Sequence, residues 1–464
     1  MPFRAESIDD EIPTVLFPVE TVSRELDSKL AMASALAGRG VRSIVGHKEV
    51  IDYAGRNSGP LIWQGKALFS DHSDDHTADH LVRNGSAIMY MQDEGGVFQE
   101  SSWRENVIQK HHLDHLRTRP ISRVCTWGKR QGEVISDHAP EMSAAIRVTG
   151  SPRFDICTPK FDWMGAEIVR DLKDRHGPYI LVCTRFGSIA HADGLHDAFR
   201  RKLNPRIWPK EMDMREVTNI WFRKWHQDVH DFADFVVMVK ELSVNHPRHR
   251  LILRPHPSEG LLFYRQAFAQ FSNIEVVREG NVLHWIRGAE LVVHSNCTTG
   301  IEAVLARRPV VNFLPAGRDR AGLDVEVARE AGTPAGSIPE VLEIAAELLA
   351  GNRRPHEWSP HAVSMLNNLR MDSLPILADE TLAVIRERSL DRSRIELPGR
   401  PLVRGIVRRA LGRPEFPTTP YIAAKRPPFD ATRIEAVLEG CRSAGVGGGR
   451  IRSFNTRYVI VDPD

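Results

Sequence analysis

Short apolar, β-branched runs alternate along this chain with longer segments whose apolar positions recur every three or four residues. That alternation predicts parallel strands joined by crossover helices. The first run, "PTVLFPV" (13–19), leads into a helical pattern, "SRELDSKLAMASALAGRG", with Gly38 and Gly40 near its stop, and then into "VRSIVG", which completes one βαβ unit. Further strands are expected at "LIWQG", "SAIMYM", "RVCTWG" and "IRVTG", all before about residue 170. A second series starts at "PYILVCTRFGS" (178–188) and passes through a long helical stretch, "WFRKWHQDVHDFADFVVMVKELSVNH", into the strand "RLILRPHP". It continues with "NIEVVRE", a short helix, "AELVVHS", a helix "TGIEAVLARR" and the strand "PVVNFL".

The pattern predicts two consecutive open α/β domains, residues 1–172 and 173–395, with helices near 338–351 and 375–390 closing the second and packing back on the first. Beyond 395 the texture changes to Pro and Arg, with Arg400, Arg404, Arg408, Arg409 and Arg413 uninterrupted by acids. If 401–413 is helical, its apolar and basic faces separate, as in a helix lying at a membrane surface. The same pattern fits a helix docked on the protein with a solvated basic face. The rest of 396–464 reads as a small appendage of one helix and one strand.

Composition removes several classes. The 464 residues carry 62 Lys+Arg against 60 Asp+Glu, a net charge of +2 that gives no reason to expect nucleic acid as a partner. Five cysteines, with no CxxC pair, predict neither a disulfide framework nor a zinc site. No uncharged apolar run approaches the roughly 18–20 residues of a membrane span, and the start of the chain carries acids where a signal peptide carries basic residues. A cytoplasmic protein is expected.

Ligands of open parallel sheets bind outside the carboxyl ends of the strands, so residues there are weighed first. After "SAIMYM" come Asp93, Glu94, Gly95 and Gly96: two carboxylates that push each other's pKa apart, and two glycines that permit close approach. A solvated turn accounts for the same residues. "LILRPHPSEG" holds Arg254 and His256 between prolines, donors suited to a phosphate. "VVHSNCTTGIE" offers His294, Ser295, Asn296, Thr298, Thr299 and Gly300 before a helix, an anion site by its free amides and dipole, with Glu302 within reach of a ribose hydroxyl. Ordinary capping needs one such hydroxyl, and here there are three. "VTGSPRFD" places Ser151, Arg153 and Asp155 after a strand of the first domain, Asp155 being either a partner for Asp93 and Glu94 or a helix cap. "TRFGS" adds Arg185 and Ser188 as weaker phosphate contacts. GxGxxG after the first strand, Walker A, HExxH and GxSxG are all missing, which argues against dinucleotide redox and P-loop chemistry.

Taken together, "DEG" (93–95), "HP" (256–257) and "HSNCTTG" (294–300) resemble the GT-B glycosyltransferases that use CMP-activated acidic sugars, such as bacterial sialyltransferases. "KLAMASALAGRG", "QDEGGVFQE", "VTGSPRFD" and "RPHP" look like the bacterial surface carbohydrate biosynthesis proteins related to β-Kdo transferases. The resemblance spans roughly residues 12–350. It implies a GT-B-like pair of Rossmann-type domains facing a cleft, and transfer from a CMP-sugar co-substrate to a glycan or lipid-linked glycan of a capsule or lipopolysaccharide. No metal and no other cofactor is expected. It implies that Asp93 or Glu94 is the base, that His256, Ser295, Thr298 and Thr299 hold the nucleotide, and, if the reaction retains configuration, that Asp155 is the nucleophile. Gly95, Gly96, Arg153, Arg185 and Ser188 are expected as further substrate contacts, and 400–413 as a contact with the inner membrane face. The alternatives are a hydrolysing UDP-sugar 2-epimerase and a non-catalytic member of a polysaccharide assembly complex.

Overall fold

The computed structural model describes residues 6–66, 77–93, 97–204, 213–352, 355–398 and 425–464. They form two compact units, one of residues 1–96, 104–156 and 363–464, the other of 97–103 and 157–362.

The first unit begins with β1 (Glu6–Asp10), β2 (Thr14–Val19), β3 (Arg42–His47), β4 (Ile62–Gly65), β5 (Ala87–Met91), β6 (Arg123–Thr126) and β7 (Ile146–Val148). From β2 to β7 the pairing is parallel throughout, in the order β3-β2-β4-β5-β6-β7. Every residue of β2 to β6 is buried, which is why these strands read as mainly apolar rather than alternating, with polar residues such as Arg42, His47 and Arg123 at their ends. The chain moves from β2 to β3 on one side and then to β4 on the other, so the sheet has its switch point between β2 and β4, where a crevice forms at the carboxyl ends. The helix Val22–Ala37 packs there, and 14 of its 16 residues are buried, among them Glu25 and Lys29.

In the second unit β8 (Tyr179–Cys183), β9 (Arg250–Arg254), β10 (Ile274–Val276), β11 (Leu291–His294), β12 (Val310–Phe313) and β13 (Thr333–Ala335) pair in parallel as β10-β9-β8-β11-β12-β13. Counted from its first strand this is the 3-2-1-4-5-6 order of a doubly wound Rossmann sheet, with the switch point between β8 and β11. Apolar clusters cover both faces. One gathers Val182, Phe235, Met238, Leu253, Val293 and Phe313 beneath the 32-residue helix Met214–Asn245, and the other gathers Leu181, Ile252, Trp285 and Val292. The fold class is α/β with two Rossmann-type parallel sheets, as expected.

The chain does not divide at residues 172 and 395. After residue 362 it returns to the first unit, where the helix Ser373–Arg388 and β14 (Ser393–Leu397) lie, and β14 pairs antiparallel with β1. The described strands of the expected appendage join the first sheet. Beyond the helix Ala431–Ser443, β15 (Arg450–Asn455) and β16 (Tyr458–Asp462) form a hairpin, and β16 adds antiparallel to β3. Ion pairs secure it, with buried Arg42 donating to Asp462 at 2.5 Å and to Asp10 at 2.8 Å. The basic segment 400–413 lies outside the described residues. All five cysteines are free, four of them buried. Among the described residues no helix is long and apolar enough to cross a membrane.

Candidate functional site

In the first unit a narrow recess opens at the switch point, lined by Phe17, Ser28, Lys29, Met32, Gln64, Met91, Asp93, Ser151, Pro152 and Arg153. Its innermost volume is about 10 Å³, room for one water molecule. The lining comes from β2, β4, β5, the Val22–Ala37 helix and the turn after β7, so residues far apart in sequence meet at one crevice. Asp93 follows β5 directly and is 8% exposed. Glu94, Gly95 and Gly96 lie outside the described residues.

Asp93 has a partner that the motif reading missed. Lys29 Nζ donates to Asp93 Oδ2 at 3.3 Å, to Glu25 Oε2 at 3.1 Å and to the Pro18 carbonyl. Lys66 extends the chain of charges, 3.2 Å from Glu20 and 3.7 Å from Glu25. Burial raises the Asp93 pKa above the usual carboxylate range, with Lys29 opposing it. Burial also disfavours the Lys29 ammonium, but Asp93 and Glu25 outweigh that and hold the proton on it. Glu25 moves the other way: burial would raise it, and Lys29 and Lys66 bring it down to about 2. The result is a carboxylate of raised proton affinity beside a permanent cation, a combination suited to taking a proton from a hydroxyl. One signal was available in the sequence. Glu25 and Lys29 stand four residues apart on the predicted helix, the spacing of an acid–base pair on one face.

Ser151 and Arg153 line the recess, but Asp155 does not. It is 1% exposed, and both its oxygens are taken: Oδ1 accepts from Asn368 Nδ2 at 2.5 Å and the Ser373 amide at 2.9 Å, Oδ2 from the Leu374 amide at 2.7 Å. It satisfies the first amides of the Ser373–Arg388 helix, a cap supplied from 218 residues away rather than from its own helix. Asp155, expected as a nucleophile, is thus bonded at both oxygens as a helix cap. Burial pushes its pKa up to about 7 against those donors. Asn368 also bonds the amide and carbonyl of Ser151, and a side chain on Gly150 (φ +74°) would meet Asn368 Oδ1 at 2.5 Å.

In the second unit the predicted residues gather at the carboxyl ends of β8, β9 and β11. Arg185 bridges the switch point, its Nε donating to the Ser295 carbonyl at 2.7 Å. Its other nitrogens reach Asp228 at 2.7 Å and Asp231 at 2.9 Å on the long helix, and Ser188 Oγ donates to Asp228 at 2.7 Å. Arg318 and Arg320 both reach Asp231 at 2.7 Å, and Lys224 pairs with Asp228. Burial, with Arg185 nearby, brings Lys224 down to about 8. Arg185 and Ser188, expected as ligand contacts, are thus committed to a buried charge network.

Arg254 is likewise committed, donating to the Glu279 carbonyl at 2.5 Å and the Gly280 carbonyl at 2.6 Å. His256 is exposed, and its Nδ1 accepts from the Ser258 amide at 3.2 Å, which orients the ring. His294 is fully buried: Nε2 donates to the Ala331 carbonyl at 2.8 Å, Nδ1 accepts from the Cys297 amide at 3.3 Å, and burial lowers its pKa to about 4. A side chain on Gly300 would meet that ring at 2.2 Å, so His294 and Gly300 are packing partners rather than ligand contacts. Asn296 (φ +47°) pairs both ends of its amide with the backbone of Val325, at 2.7 and 3.0 Å. That leaves Ser295, Thr298 and Thr299. Ser295 Oγ is buried with no hydrogen-bond partner among the described residues, and the two threonines open the Thr298–Leu305 helix half-buried. Glu302 is buried one turn on.

No protein-family model matches the chain, and no curated protein matches it in sequence. Solved structures that it matches include the wall teichoic acid polymerase TagF (H548A variant), with 9% identity over 82% of this chain and 90% of that one, TM-score 0.49. A putative UDP-N-acetylglucosamine 2-epimerase from Listeria monocytogenes matches with 14% identity over 82% and 97% of the two chains, TM-score 0.47. The UDP-GlcNAc 2-epimerase of Methanocaldococcus jannaschii matches with 12% identity over 81% and 99%, again with a TM-score of 0.47.

Proposed function

We propose that the protein is a GT-B-type glycosyltransferase that moves an acidic sugar from a CMP-activated donor to a surface-polysaccharide acceptor. The observation that carries this reading is Asp93, a carboxylate of raised proton affinity at the end of a central parallel strand, with Lys29 and Arg153 lining the same recess. Asp93, or the adjacent Glu94, takes the acceptor hydroxyl's proton, and Arg153 at the recess offers a cation to a sugar that bears a carboxylate. The nucleotide belongs to the second unit, where His256, Ser295, Thr298 and Thr299 offer donors at strand ends and a helix N-terminus. Those donors receive the charge that departing CMP carries, so the transfer requires no metal. With Asp155 occupied as a cap, the reading is a single displacement in which the acceptor oxygen attacks the sugar directly.

Calorimetric titration with CMP, CDP, UMP, UDP and GDP in the absence of metal tests this. Preferential CMP binding, weakened by His256→Ala, is expected. A preference for UDP would replace the proposal with a 2-epimerase, and no nucleotide binding would replace it with a non-catalytic assembly protein.

A further inference from the structure

On the Met214–Asn245 helix, His226 and His230 stand one turn apart and line a recess of about 350 Å³ together with Arg223, Gln227, Arg318, Asp319 and Leu323. Both rings are exposed, and their Nε2 atoms face each other at 3.2 Å, with ring centroids 4.6 Å apart. Two nitrogens bound to one tetrahedral zinc ion at about 2.0–2.1 Å stand about 3.3 Å apart, so the rings already hold a chelating separation. We propose that His226 and His230 form a binding site for a borderline transition dication of the zinc, cobalt or nickel type, with its remaining positions open to the recess.

The local chemistry agrees with this. Imidazole is the ligand these ions favour, and histidines at i and i+4 on one helix face are the spacing by which helical zinc sites grip the metal. The nearby guanidinium charges are already matched: Arg223 pairs with Asp319 at 3.2 Å, and Arg318 pairs with Asp231 at 2.7 Å and with Asp234. A dication therefore meets no uncompensated positive charge. Binding takes no proton from the pair, since the ring that now donates from Nε2 shifts its proton to Nδ1 and presents a lone pair.

The sequence here is "HQDVH", with glutamine where a metalloprotease helix carries its general base. Gln227 Nε2 is bound to Asp231 Oδ1 at 2.8 Å. The site lacks a base for peptide hydrolysis, and its expected property is metal binding. The inference is independent of the proposed glycosyl transfer.

The test uses the full chain stripped with a chelator, titrated with Zn2+ by calorimetry and with Co2+ by visible absorption. About one ion per chain is expected, with His226→Ala and His230→Ala each weakening binding tenfold or more while circular dichroism stays unchanged. A competing cluster, His191, Asp193 and Asp197, has ligand atoms within 4.8 Å of one another, so Asp193→Asn is run alongside and is expected to bind as the parent does. The proposal is overturned if both histidine variants bind as the parent does, if Asp193→Asn alone abolishes binding, or if the parent binds neither ion.

Discussion

Lys29 and Asp93 form the pair on which the proposed chemistry turns, and each has a distinct expected signature. Asp93→Asn removes a base while keeping shape, and should lower kcat by about 10²–10⁴, measured in a transfer assay, if Asp93 rather than Glu94 takes the proton. Lys29→Met leaves Asp93 buried without its cation. Its pKa then rises further, so the acid limb of the kcat/KM–pH profile moves to higher pH; an unmoved limb would show that Lys29 serves packing alone. Neither residue stood out equally in the sequence. Asp93 was legible because its motif sits at a strand end. Lys29 was not, because an ion pair between a helix and a loop 64 residues away leaves no trace in the local spacing of either segment.

Elements were largely legible, and the connections between them were not. Strands β2 to β12 follow from mainly apolar runs bounded by turns, and helices such as Met214–Asn245 from their period, whereas β13 and β15, which lack such runs, were not expected. β16 also reads as a strand, but nothing in "TRYVIVDPD" says that its partner is β3, over 400 residues earlier, because antiparallel addition at a sheet edge depends on shape and on the Arg42–Asp462 pair. Some of the expected site residues are engaged elsewhere for a related reason. His294, Arg254 and Asn296 have the chemistry of ligand contacts, and in each the polar atoms turn to backbone partners that sequence spacing does not encode. Asp155 is the clearest case, a carboxylate that caps a helix beginning at Ser373. Asp155→Ala should therefore cost about 1–3 kcal/mol in a denaturant melt, with Asp155→Asn costing less because one acceptor oxygen remains.

For the whole molecule, acid is expected to be destabilising through buried histidines in both units. Burial lowers His47, His111 and His294 from 6.5 to about 4 in each case. A group depressed on folding contributes stability that is present above its unfolded pKa and is lost as the pH falls toward its folded pKa. The melting temperature should thus fall between pH 6.5 and 4, and His294→Gln should flatten part of that slope. Asp155 acts in the opposite sense, since its carboxyl rises from 3.8 to about 7 and the stability it contributes is lost as pH rises through that window. Asp155→Asn should make the acid-side loss steeper.

The order in which the chain is written out by the ribosome meets these two units unequally. Residues 157–362 supply all six strands of the second sheet in one stretch, so that unit can begin to fold as soon as it emerges. The first unit starts earlier and finishes later: the edge of β3 stays uncovered until β16 at Tyr458–Asp462 has been made. During that interval a parallel sheet edge stays unpaired. Truncations before β16 should leave the second unit folded and the first prone to aggregate, an asymmetry that limited proteolysis of stalled chains would read directly.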